Sequence, residues 1–248
     1  AQHPLELSGS AVWDARTLAC AIAQNPEGSP RLLRSGSVER WLRRNLGDSA
    51  AAAKLAEVIH LRTLDGPVDD ARADGMLVMR AVASLDPLAP LCWRGVALWP
   101  DGLGPALADA MVAPEKGSVL AERLTEIVDC EASGHWAQMR PERSDPTLMQ
   151  SEARHRRTLM RQRGWAGGLP RLAYALNPLL PCASPLLGGS AVVRTPELLQ
   201  ALNAAAANAQ IRRSLPMDHD IAAFVAARAD QSSVANIASL NGKVPPDQ

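Results

Sequence analysis

This sequence predicts an all-α fold of stacked helical repeat units, each about 90 residues long, with very short extended segments. Three observations lead there. Hydrophobic residues make up 47% of the chain but aromatic residues only 3%. Ala and Leu fill the difference, and both favour helix over strand. A similar stretch is written three times, as SAVWDARTLACAIA (10–23), GVALWPDGLGPALA (95–108) and SAVVRTPELLQALN (190–203). A second landmark, RAVASLDPLAPL (80–91), returns as RLAYALNPLLPC (171–182).

The first landmark joins an apolar extended triplet to a helix. Leu18, Ala21 and Ile22 match Leu103, Ala106 and Leu107, and then Leu198, Ala201 and Leu202. This spacing marks one buried helical stripe. Thr195-Pro196-Glu197 reads as a helix start, with Thr as cap, Pro at the first position and an acid near the positive end. In the second landmark, a helix ends at Asp86-Pro87 and at Asn177-Pro178, since proline disfavours helix in the residue before it. The two landmarks divide the chain into a first unit (1–94), a second (95–189) and a partial third (190–248), expected as one continuous elongated body.

Within the units, helices are expected over 15–24, 37–46, 49–62, 69–85, 102–111, 117–130, 146–163, 167–176, 196–209 and 218–229. Ser37 is placed to cap the second. Residues 25–35, rich in Pro and Gly, read as a loop. The stretch LRSGSVERWLRRNLGD (33–48) resembles helical regions appended to bacterial serine/threonine kinases and Hsp70-like chaperones. That resemblance implies a regulatory or protein-binding role rather than phosphoryl transfer. The chain carries no Gly-rich loop with its Lys, no HRD and no DFG.

Lys plus Arg equals Asp plus Glu, at 26 each, so the overall basic excess of a nucleic-acid binder is missing. Cys20, Cys92, Cys130 and Cys182 are scattered, which reads as core thiols in a reducing, cytoplasmic setting. No stretch approaches the ~18 apolar residues of a membrane span. The first residue is Ala1, not Met, which points to a chain that is processed or cut from something longer.

No catalytic residue, metal ligand or cofactor is assigned. Asp129, Cys130, Glu131 and His135 carry metal-binding atoms but lack a second half and read as a polar loop end. Asp218, His219 and Asp220 read as a helix cap rather than an acid–base pair. Four residues are candidates for partner contact. Trp99 stands at a helix entry where the third copy has Arg194, so that position is not buried in every unit. Arg154, Arg157 and Arg161 share one face of a helix. The reading is a non-enzymatic scaffold or regulatory module that binds a protein partner. Its rivals are an α-helical enzyme with a dispersed site, and nucleic-acid binding through 154–163.

Overall fold

In the computed structural model, the chain is all-α. The structure describes residues 3–7, 9–62, 70–112, 114–140, 142, 144–207 and 217–229, with backbone alone over 114–118. The described helices are α1 (Ala15–Gln24), α2 (Ser29–Arg34), α3 (Ser37–Trp41), α4 (Ser49–Arg62), α5 (Ala71–Leu85) and α6 (Leu103–Val112). They continue with α7 (Pro114–Asp129), α8 (Ala132–Gln138), α9 (Pro146–Met160), α10 (Gly168–Leu176), α11 (Thr195–Ala206) and α12 (His219–Arg228). The only sheets among the described residues are two antiparallel hairpins, β1 (Leu5–Leu7) with β2 (Ser10–Val12) and β3 (Leu91–Trp93) with β4 (Val96–Leu98).

The chain divides into two compact units. One comprises Ala1–Pro100 with Glu126–Arg154, the other Asp101–Thr125 with His155–Gln248. This is a division by packing, whereas boundaries at 94 and 189 follow the register of the sequence landmarks.

Local chemistry sets the helix ends. Asp14 Oδ1 accepts the Thr17 amide at 2.8 Å, and Thr17 Oγ1 accepts the Asp14 amide at 3.3 Å, a reciprocal cap on α1. Asp70 Oδ1 accepts the Arg72 amide at the start of α5. Helix α11 begins at Thr195 with Arg194 as its cap residue, one place earlier than the sequence reading. Glu197 reaches back to the Val193 and Arg194 amides at 2.9 and 3.0 Å.

Other expectations need correction. Residues 29–34 are helical, because Pro30 stands in the first turn, where its missing N–H is no loss. Ser37 lies inside α3, whose cap is Gly36 in the left-handed region. Residues 42–46 widen into a π-helical turn that ends at left-handed Gly47. The short helix α8 had no counterpart in the sequence reading. The predicted starts and ends at 69 and 208–209 lie outside the described residues.

The first two extended triplets have strand partners that the sequence reading did not supply. Leu7 pairs with Ser10 and Trp93 with Val96. Arg94 (φ 46) and Gly95 (φ 89) turn the second hairpin with both residues left-handed, the geometry that matches strand twist. The registers bring Trp13 level with Trp99, one place away from the alignment of 10–23 with 95–108, which faces Trp13 with Leu98. In the third stretch a single ladder bond remains, from the Cys182 amide to the Val192 carbonyl at 2.8 Å.

In the first unit α5 is the central helix, packed by α1, α4 and α8. Leu18, Ile22, Leu33, Leu55 and Leu77 lie fully buried around it. Gly75 lets the Trp93 ring approach α5 closely, since a Cβ there would meet the indole at 3.2 Å. In the second unit α10 holds that place, packed by α6 and α12. Tyr174 and Phe224 meet edge to face at 5.4 Å in its core.

One half-buried carboxylate ties three helices of the first unit together. Asp74 Oδ1 takes the Arg34 Nη1 donor at 2.6 Å and the Arg62 Nη2 donor at 3.0 Å. Only 4% of the Arg62 side chain is exposed. Asp74→Ala takes away the acceptor shared by two arginines and is expected to destabilise the protein by about 3 kcal/mol. Urea unfolding of the variant measures this, with Arg43→Ala, at a surface ion pair, changing stability by less than about 1 kcal/mol.

Candidate functional site

The hairpins place two tryptophans outward. Trp99, directly after β4, is 47% exposed, and Trp13, directly after β2, is 54% exposed. Trp41, Trp93 and Trp136 are buried. Trp99 meets the Trp136 ring edge-on at 5.8 Å. Sequence reasoning singled out Trp99 and passed over Trp13. The missed signal was the left-handed Gly directly ahead of each triplet, Gly9 and Gly95, which fixes the hairpin register.

Arg154 and Arg161 are exposed and Arg157 is half-buried, and each of the three engages another group. Arg154 lies on α9 with its Nε 3.7 Å from Glu131 Oε2. Arg157 and Arg161 also engage other groups, and Arg161 follows the last residue of α9. Trp99 and Arg154 belong to the first compact unit, Arg157 and Arg161 to the second.

A guanidinium clamp recurs at the two Asx–Pro turns. Arg140, at the end of α8, lies over the Trp136 ring at 4.4 Å and donates from Nη2 to the Asp86 carbonyl at 2.8 Å. Arg228, at the end of α12, lies over the Phe224 ring at 4.9 Å and donates from Nη2 to the Asn177 carbonyl at 3.1 Å. Its Nη1 donates to the Tyr174 carbonyl at 2.5 Å. In each case the aromatic residue precedes the arginine by one helical turn. The two clamps carry the same groups at the same place, on turns that the sequence landmarks had already paired.

The remaining polar clusters are hydrogen-bonded within the fold. Asp218 caps α12 through the Ile221 amide at 2.9 Å and accepts Ser184 Oγ at 2.5 Å. His219 Nε2 lies 3.0 Å from the Gly167 carbonyl. Burial, with the nearby Asp218 charge adding to it, pushes the Asp220 carboxyl above its ordinary value of 3.8. Glu131 Oε2 accepts Gln150 Nε2 at 2.5 Å, and His135 Nδ1 lies 3.2 Å from Gln138 Oε1. Among the described residues no three His, Cys, Asp or Glu side chains converge as metal ligands.

The first unit also holds a cleft of 620 Å³ between α1, the Asp86–Pro turn and the second hairpin. Its floor is Ala19, Val82, Ala89 and Cys92, all buried. Arg16 stands at the mouth with its Nε 3.6 Å from Asp86 Oδ1, and Cys20 is an exposed thiol on the α1 wall. Burial pushes the Cys92 thiol up, so it stays protonated, with Sγ 3.6 Å from the Pro90 carbonyl. Sequence reasoning missed this cleft, whose walls come from separate segments.

No protein-family model, curated protein or solved structure matches this chain.

Two outcomes follow from these geometries. Arg228→Met keeps the stem and removes donors to main-chain carbonyls, so it is expected to destabilise the protein by about 2–3 kcal/mol in thermal or urea unfolding. Asp220 favours its protonated form in the fold, so its ionisation lowers stability as pH rises from the ordinary value of 3.8 through the raised folded value. Asp220→Asn is therefore expected to raise Tm at pH 7 and to leave Tm at pH 3 nearly unchanged.

Proposed function

We propose that this chain is a non-enzymatic helical scaffold or regulatory module that binds a protein partner. Its architecture, on this reading, is a run of related blocks, 1–94, 95–189 and a partial 190–248. The observation that carries the reading is the pair Trp13 and Trp99. Both follow the second strand of a hairpin, and both leave about half of a large aromatic surface in water. Exposed tryptophan is unfavourable in isolation. It is also the side chain most enriched at the energetic centre of protein interfaces.

The recurrence of the clamp at Asp86 and Asn177 supports the repeated-block reading. Four free cysteines fit a reducing, cytoplasmic setting. No helix among the described residues is long and apolar enough to cross a membrane. The balanced charge and the engaged arginines of α9 do not favour nucleic acid.

The test is affinity capture from source cells, with wild type compared with Trp13→Ala and Trp99→Ala at matched circular dichroism. A defined partner is expected to be held by wild type and weakened about thirtyfold by each variant. A partner retained equally by all three proteins overturns the reading.

A further inference from the structure

The geometry points to the cleft of the first unit as a binding site for a medium-chain aliphatic carboxylate, with the head group on Arg16 and the chain laid along α1. The volume of 620 Å³ falls in the ~300–1,000 Å³ range of small-molecule sites. The walls are small and aliphatic. Ala19 and Ala23 come from α1, Val82 and Ala89 from α5 and its turn, and Val96 and Ala97 from the hairpin. Arg16 and Gln24 mark the two ends of the α1 wall, about 12 Å apart along the helix. A straight chain fits such a trough, and its outer side covers Leu88, which is 44% exposed at the rim.

The local charge selects an anionic head. The Arg16 side chain is 67% exposed, and its one ion pair, with Asp86, is long at 3.6 Å through Nε. The outer fork of its guanidinium makes no hydrogen bond to a described residue. Asp86 is better occupied. Its Oδ1 also accepts the Leu88 amide at 2.9 Å, and its side chain is only 13% exposed. Arg140, bound to the Asp86 carbonyl, adds a second positive charge beside the cleft floor. Arg16 is therefore the guanidinium that lines the cleft, engaged by Asp86 only at 3.6 Å, and its fork suits a second carboxylate.

Cys20 reports occupancy, because it sits one helical turn from Arg16 on the same wall. The experiment follows alkylation of Cys20 by iodoacetamide in the full chain, using mass spectrometry, against increasing octanoate, octanol or acetate. Octanoate is expected to slow the reaction saturably, octanol at least tenfold more weakly, and acetate not at all. Arg16→Gln is expected to weaken octanoate protection about tenfold while leaving octanol unchanged. Ala97→Glu, a change at an exposed rim position, is expected to do the same by repulsion. Equal protection by octanoate and octanol, no protection by either, or unchanged octanoate protection in Arg16→Gln overturns the proposal. None of these results bears on the tryptophan contacts above.

Discussion

The structure turns on what happens at the end of a core helix that proline will not let continue. Helices α5 and α10 are the centres of their units, and each stops at an Asx residue before proline. Their last carbonyls point into protein rather than water, and a buried carbonyl without a donor is costly. Arginine solves this from a neighbouring helix end, reaching Asp86 from two residues past α8 and Asn177 from the last residue of α12. The aromatic ring beneath each guanidinium accepts the charge on its face and keeps it dry. The helix that carries the arginine is thereby fixed against the helix it caps. Packing, capping and charge placement become one constraint.

Buried charge does similar work elsewhere in the first unit. A core of Ala and Leu packs well but specifies alternatives weakly, because many slid arrangements bury similar area. Asp74 with Arg34 and Arg62 allows only one of them. Glu126 adds another tie, accepting the Trp93 indole at 2.9 Å and Arg94 Nη1 at 2.5 Å. That carboxylate holds the second hairpin by its turn, and so fixes where Trp99 emerges.

How much of this was legible depends on the range over which each feature is encoded. Helices α1 and α4 were read to the residue, because a local cap or a local apolar stripe defines them. Helix α2 was lost because Pro30 was read as a breaker, when at the first turn it is a starter. Helix α8 was lost because Ser133, Gly134 and His135 break up its apolar pattern. Strands β1 and β3 are too short for any periodicity to show. The clamps were half visible. The Asx–Pro turns stand out in the sequence, but the arginines that close them lie some fifty residues further on. The cleft was invisible, since Arg16, Asp86 and Val96 share nothing in sequence.

Tryptophan is where fold and function part company. This chain has six Trp, one Tyr and one Phe, so large rings are scarce and their placement is informative. Trp41 and Trp93 bury their rings and satisfy their indole N–H groups, on the His3 carbonyl and on Glu126. Trp136 gives its face to Arg140 and an edge contact to Trp99. Those three are accounted for by the fold alone. Trp13, Trp99 and Trp165, the last 46% exposed, are not; each hairpin would turn equally well with a polar residue after its second strand. Trp99 is held against Trp136, and so presents its exposed surface in a fixed orientation. A rigid aromatic surface loses little entropy when a partner covers it, which is the property that separates an anchor from an incidental exposed ring.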